Sequence, residues 1–497
     1  MFKYGIDQLT VDSAINISKG ELKAELNAEA KDKVNECRRK VEKMASSKKA
    51  VYGINTGFGP LCDTQISPEE TNKLQENLLI THAVGVGNPI DKSISKLMMI
   101  CKVHALCQGY SGIRLEIIER IIFFIENNIL PVVPEQGSVG ASGDLAPLSH
   151  LFLPLLGEGE IWENDKIVEA NIVLEKHGLK SIILSAKEGL ALINGTQFIL
   201  AHAITGLKKM EYLLDLADVA GAMSLEGFQG SLAPFKEELH TIRPFIGNLK
   251  VAERMRMLLD NSENVSSHQA CDRVQDPYSI RCIPQVHGAS RNAWIHLNEL
   301  AEIEMNSVTD NPIILSEEEA ISGGNFHGQP LAMALDYASI AASELGNISD
   351  RRCYLLLEGK FGLPRLLTTA GGLNSGYMIP QYTTAALVTE NKSLCFPPSA
   401  DSVPTSLGQE DHVSMGSISG RKFNQILGNI EKIFAIELMY AAQAVDFRRP
   451  NRLTEIIESN FSIIREKVET LKEDRILRHD INAMIEMVTS QKFIVRK

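Results

Sequence analysis

Leu331-Ala332-Met333-Ala334-Leu335-Asp336-Tyr337-Ala338, running on through Ser339 to Leu357, has the clearest period in the chain. Across 330–357, Leu331, Leu335, Ala338, Ala341, Ala342, Leu345, Ile348 and Leu355 recur at spacings near 3.6 residues, with Asp336, Glu344, Asp350 and Arg351 between them. This is one apolar face of a long helix, and the small Ala and Gly residues on it permit close helix–helix approach. The same period runs through 201–227, 289–305, 421–446 and 453–472, so the second half reads as a bundle of long helices. The first 200 residues are more mixed. Helical patterns at 29–47, 68–80, 93–108 and 114–127 are interrupted by Gly- and Pro-rich text, and short strands fit near 160–168 and 181–185. The expected fold class is mainly α, with a loop-rich N-terminal portion over 1–200 and a long helical bundle over 201–497.

Composition narrows the function. The 497 residues are 44% hydrophobic and 23% charged, which is ordinary for a globular chain with a large core. A formal net charge of -12 works against nucleic-acid binding, because that requires a basic footprint to displace counterions. The opening residues show no basic segment followed by an apolar run and a cleavage site, and no run of about 18 apolar residues occurs. A cytoplasmic protein without membrane contact is expected. The eight cysteines, Cys37, Cys62, Cys101, Cys107, Cys271, Cys282, Cys353 and Cys395, form no C-x-x-C pair and no close Cys/His cluster of zinc-ligand spacing. They read as reduced thiols, and no metal is expected.

Chemistry concentrates in Gly137-Ser138-Val139-Gly140-Ala141-Ser142-Gly143-Asp144-Leu145-Ala146-Pro147-Leu148-Ser149-His150. A phosphate loop would end in G-K-[ST], which is missing here. A tight structural turn is possible, since glycine serves strained backbone widely. The third reading is covalent. If the Gly143 amide nitrogen attacks the Ala141 carbonyl, a five-membered ring closes, and loss of water, including the Ser142 hydroxyl, leaves an exocyclic methylene conjugated to it. Ala141 is small, Ser142 carries a leaving hydroxyl on its β-carbon, and Gly143 lacks a Cβ, so its nitrogen can approach at angles closed to other residues. Asp144 is near enough to shuttle protons.

This string, G-x-x-G-A-S-G-D-L-x-P-L-S-H, resembles the signature of the aromatic amino acid ammonia-lyases, and the resemblance extends from about residue 50 to about 450. It implies an L-aspartase/fumarase-like fold, a homotetramer whose active sites combine residues from different subunits, and a 4-methylidene-imidazol-5-one (MIO) group made from Ala141, Ser142 and Gly143, with no metal or nucleotide.

Further blocks carry the rest of the resemblance. Val51-Tyr52-Gly53-Ile54-Asn55-Thr56-Gly57-Phe58-Gly59 is similar to the family's glycine-rich loop, which makes Tyr52 the acid/base; alone, such a tyrosine more often packs. Because a phenol titrates near pH 10, that role would need a depressed pKa or an anionic relay. In Gln275-Asp276-Pro277-Tyr278-Ser279-Ile280-Arg281, the Arg281 guanidinium suits a planar carboxylate through two parallel hydrogen bonds, although an isolated Arg is more often a surface ion pair. The resemblance implies that Tyr278 assists proton transfer, and that Gln275 and Asn194 bond the MIO or the substrate. It sets Phe326, in Gly323-Gly324-Asn325-Phe326-His327-Gly328, against the MIO. His327 reads as structural.

Two positions resemble the histidine branch of the family. His82, in Thr81-His82-Ala83, falls where that branch meets an imidazole, and Glu410, in Gln409-Glu410-Asp411-His412, stands where the phenylalanine and tyrosine branches carry a neutral Gln. A carboxylate can accept an imidazole N–H but costs desolvation beside a phenyl ring. Met378 resembles the branch's apolar contact to the ring. Gly328-Gln329 departs from the branch's usual Ala-Glu. The expected substrate is L-histidine. Tyrosine or phenylalanine, an aminomutase, and a non-catalytic assembly protein of the same fold are the alternatives.

Overall fold

The 330–357 repeat forms one helix, Gln329–Leu357, in a computed structural model that describes residues 1–47, 49–61, 64, 66–267 and 274–496. Pro330 sits in its first turn, where a missing N–H costs nothing. Leu331, Leu335, Ala338, Ala342 and Leu345 are buried along one face, while Met333, Tyr337 and Ile340 point outward. A Cβ added at Gly346 would lie 2.8 Å from Ile430 and 3.0 Å from Ile433, so the small residue sets how closely this helix meets Gly416–Asp446. Gly227 plays the same part against Ala444.

The other expected helices form as Ala28–Ala45, Pro68–His82, Lys92–Leu106, Leu115–Glu126, Gln197–Phe228 and Ile283–Met305. One ends early: the pattern over 453–472 gives Glu455–Arg465. Beyond it, Leu471 exchanges backbone hydrogen bonds with the buried Gln443 side chain, which captures groups a helix would have used, and the Thr470 hydroxyl donates to Asp446. The strand expected near 160–168 appears as the hairpin Glu160–Glu163 and Lys166–Glu169, joined to Leu130–Pro131. The stretch 181–185 is not a strand. Ile182 donates to the Leu155 carbonyl, Arg114 takes the Ile183 carbonyl, and Ser185 donates to Glu188, so no row of backbone groups is left for a ladder.

The chain divides into two compact units: 1–205 with 297–336 and 397–421, and 206–296 with 337–396 and 422–497. The first boundary lies close to the compositional change near 200, while the first unit also takes in two later segments. All described strands belong to the first unit. Its antiparallel pair Val86–Pro89 and Pro134–Gln136 delivers the chain into the loop at 137. Cys62 and Cys271 lie outside the described residues; Cys37, Cys101, Cys107, Cys282, Cys353 and Cys395 are unbridged. Burial pushes the Cys37 thiol up to about 11 and the Cys101 thiol to about 12, which keeps both protonated.

Charge, rather than apolar contact alone, organises the second unit. Arg352 and Glu437 are both fully buried and pair with each other, and Glu437 also accepts from Ser224 and Ser349. Asp218, equally buried, takes Arg254, Arg291 and the His287 ring. Burial alone would raise the Asp218 carboxyl, but Arg291, His287 and Arg254 overturn that and hold it well below its ordinary value. Removing one partner leaves a buried charge unmatched, so Glu437→Ala is expected to cost about 3–5 kcal/mol, read by urea unfolding. A loss under 1 kcal/mol would show that Arg352 finds other compensation.

Candidate active site

Backbone and side-chain contacts hold the 137–144 loop from two sides. The Asp144 amide donates to the Gly195 carbonyl at 2.7 Å, and Gly143 and Gly195 form an isolated parallel bridge. A Cβ at Gly143 would fall 2.1 Å from the Gly195 carbonyl oxygen, and Gly143 has φ of 70°, so two independent constraints select glycine. From the other side, Met415 N–H donates to Val139 O at 3.0 Å, Ser414 Oγ to Gly140 O at 3.2 Å, and Ser417 Oγ to Ser138 O at 2.6 Å. Ala141 packs with Val413 and Met415.

Asp144 fixes the loop to the helix behind it. Its carboxylate accepts Ser138 Oγ at 3.0 Å and the amides of Phe198 and Ile199 at 3.1 and 3.0 Å, the first turn of Gln197–Phe228. An acid at that position meets unpaired N–H groups and the positive helix end. Full burial nevertheless pushes its pKa up to about 7, against the hydrogen bonds from Ile199, Ser138 and Phe198.

Ser142 Oγ donates to Glu410 Oε1 at 3.1 Å. The other Glu410 oxygen accepts Thr405 Oγ1 at 2.8 Å and Ser406 Oγ at 2.9 Å, inside a turn closed by Thr405 N–H to Glu410 O. A cavity of about 250 Å³ opens here, lined by His82, Val84, Ser138, Ala141, Gly143 and Glu410 among others. His82 ends the helix Pro68–His82, with Nδ1 3.1 Å from Thr81 Oγ1. Burial lowers its pKa, a Leu78 backbone contact and the Glu410 charge opposing.

Three other expected residues belong to the same unit. Asn194 follows the helix Glu188–Ile193; its Nδ2 donates to Asn311 O at 3.3 Å, while its Oδ1 is buried without a partner among the described residues. Phe326 is half-buried on the turn before Gln329–Leu357. The Tyr52 hydroxyl accepts the Gly59 amide at 3.4 Å, and Tyr52 is not among the residues lining the cavity. Sequence reasoning missed Lys102, a buried lysine whose ammonium reaches the Asn194 carbonyl, and His412, whose ring stacks on His327 at 5.6 Å. Lys102 lies in no motif, and His412 stands in one only as a neighbour of Glu410; both contacts arise from the fold.

The family model for the aromatic amino acid lyases matches residues 9–466. The chain belongs to the aromatic amino acid lyase family. A curated relative from Alkaliphilus oremlandii, named histidine ammonia-lyase, is 44% identical over 490 residues, covering 98% of this chain and 96% of its own. The crystal structure of histidine ammonia-lyase from Trypanosoma cruzi superposes with a TM-score of 0.90 at 40% identity, covering 99% of this chain and 94% of that one. Tyrosine aminomutase from Streptomyces globisporus reaches 0.93 at 33% identity, covering 99% and 97%. The fold is therefore the mainly helical, L-aspartase-like one, and the chain is a carbon–nitrogen lyase.

The second unit of this lyase holds the remaining expected residues. Arg281 and Gln275 line a cavity of about 740 Å³, with the Arg281 guanidinium 4.4 Å from the centre of the Tyr278 ring. Tyr278 is 71% exposed, and Arg281 Nε is buried without a partner among the described residues. Met378 opens the helix Met378–Leu394 and does not line that cavity. Among the described residues, no group of three or more His, Cys, Asp or Glu is placed to hold a metal, and no helix is long and apolar enough to cross a membrane.

The depressed His82 pKa fixes a sign. The unfolded chain takes up this proton first, so the neutral ring stabilises the fold above the ordinary histidine value near 6.5, and that contribution is lost as pH falls. NMR titration of His82 is expected to give a midpoint below that value; one above it would mean that Glu410 outweighs burial.

Proposed function

We propose that this lyase eliminates ammonia from L-histidine to give trans-urocanate, the first step of histidine breakdown to glutamate. The observation that carries the reading is the Glu410 carboxylate, set 3.1 Å from Ser142 Oγ in one cavity with His82. Such a pair matches an imidazole, with an acceptor for its N–H and a neutral ring beside it. The names of the relatives support the same substrate.

The residues at the loop fit an MIO group: Gly143 has no space for a Cβ, and Ala141 is small and buried. When formed, that group supplies an electrophile that makes the amino group a better leaving group. The chain's own residues do the rest. Arg281 binds the substrate carboxylate through two N–H donors, and His82 and Glu410 orient the imidazole. Tyr52 takes the β-proton, with Tyr278 assisting, and closure of the Gly53–Gly59 loop excludes water. Gln275 and Asn194 hydrogen-bond the reacting centre, while Phe326 and Met378 supply apolar walls. We further propose a cytoplasmic homotetramer with active sites shared between subunits.

Purified protein is to be incubated separately with L-histidine, L-tyrosine and L-phenylalanine and the absorbance of urocanate, coumarate and cinnamate followed. Urocanate alone is expected; coumarate without urocanate overturns the substrate. Ser142→Ala should lower kcat on the order of a thousandfold or more, and Glu410→Gln should lower kcat/KM on histidine about a hundredfold.

A further inference from the structure

Two buried lysines lie in the first unit behind the reactive turn, and the proposed reaction uses neither. Lys187 is paired, with Nζ 2.6 Å from Asp310 Oδ2. Lys102, on the helix Lys92–Leu106 and 2% exposed, is not paired with any described carboxylate. Its ammonium donates to the Asn194 carbonyl at 2.6 Å and to the Ala191 carbonyl at 3.0 Å. Burial pushes its pKa down to about 7, with Asp310 opposing, Lys187 adding to the fall and Asp144 opposing. A charge without a counter-ion is costly to bury, and an apolar side chain of similar length would fill the same space.

What the ammonium grips explains its presence. The Asn194 carbonyl belongs to the same peptide plane as the Gly195 nitrogen, and Gly195 has φ of 135°, a conformation other residues rarely adopt. The next carbonyl, Gly195 O, receives the Asp144 amide and occupies the place a Gly143 Cβ would need. The Asn194 side chain is tied separately, through Asn311 O, while Asp310 accepts the Asn311 amide and pairs with Lys187. Fixing the Asn194–Gly195 plane therefore fixes the wall against which Gly143 is pressed.

We propose that Lys102 is a positioning residue for closure of the Ala141–Gly143 ring, acting through the Asn194–Gly195 peptide and touching neither substrate nor reacting atoms. The inference rests on the ring formation proposed above. In that step the Gly143 nitrogen bonds to the Ala141 carbonyl carbon. The Ala141 oxygen leaves as water with the amide protons of Gly143 and Ser142, giving a C=N bond, and the Ser142 hydroxyl leaves as a second water with the Ser142 Cα proton. No oxidant is required.

The test follows the mass of the peptide containing 141–143 in time after cell-free synthesis of the full chain. Wild type, Lys102→Met, Lys102→Gln and the control Lys96→Met, on the same helix, are compared, with circular dichroism and size-exclusion profiles as the measure of folding. Wild type and Lys96→Met are expected to become lighter by two waters. Lys102→Met is expected to fold but lose water about tenfold more slowly or worse, and Lys102→Gln, which keeps one donor, to fall between. Equal rates in Lys102→Met and wild type overturn the proposal, as does failure of both Lys102 variants to fold, which would make the lysine a scaffold residue. A wild-type peptide that keeps both waters would instead overturn the ring itself.

Discussion

Asp144 is the point on which the site depends. Its amide reaches back to Gly195, and its carboxylate reaches forward to the start of the helix Gln197–Phe228 and sideways to Ser138. Without that carboxylate, the first N–H groups of a buried helix would lack acceptors and the 137–144 loop would lose its link to the helix. The same contacts press Gly143 onto Gly195, so the compressed turn is held by hydrogen bonds as well as by the packing of Ala141 on Val413 and Met415. Backbone strain at a functional turn persists only where its surroundings over-determine it, and here they do so from both sides, through Asp144 and through the 414–417 segment.

Both units bury charge. In the first, Lys102 and Lys187 fix main-chain carbonyls and one aspartate around Asn194. In the second, Asp218 and Glu437 gather guanidinium groups between long helices. Neither arrangement is easily shifted, because moving one member strands another away from water.

Fold and substrate are separable in this family. A histidine ammonia-lyase and a tyrosine aminomutase superpose on the chain almost equally well, so backbone shape does not choose the ring. Choice falls to a few side chains. Glu410 is held by Thr405, Ser406 and Ser142, and in the reaction proposed above its carboxylate favours an imidazole over a phenyl ring. Gln329, the departure from the common pattern, donates to Ser399 O and lies outside the cavity beside Ser142.

Much of this was legible in the residues alone. The helices follow from apolar spacing because one face must be buried, and the Gly140–Leu145 string named a family because so few residue types suit its chemistry. The hairpin at 160–169 was also readable. The strand expected at 181–185 and the end of the 453–472 helix were not, because Arg114, Glu188 and Gln443, distant in sequence or buried, take the backbone groups. Only tertiary structure could reveal that Gly143 faces Gly195, that Ser142 meets Glu410 across 268 positions, or that Lys102 lies beneath Asn194. Periodicity reports which face of a segment avoids water; it carries no record of which distant donor meets which acceptor once those faces close.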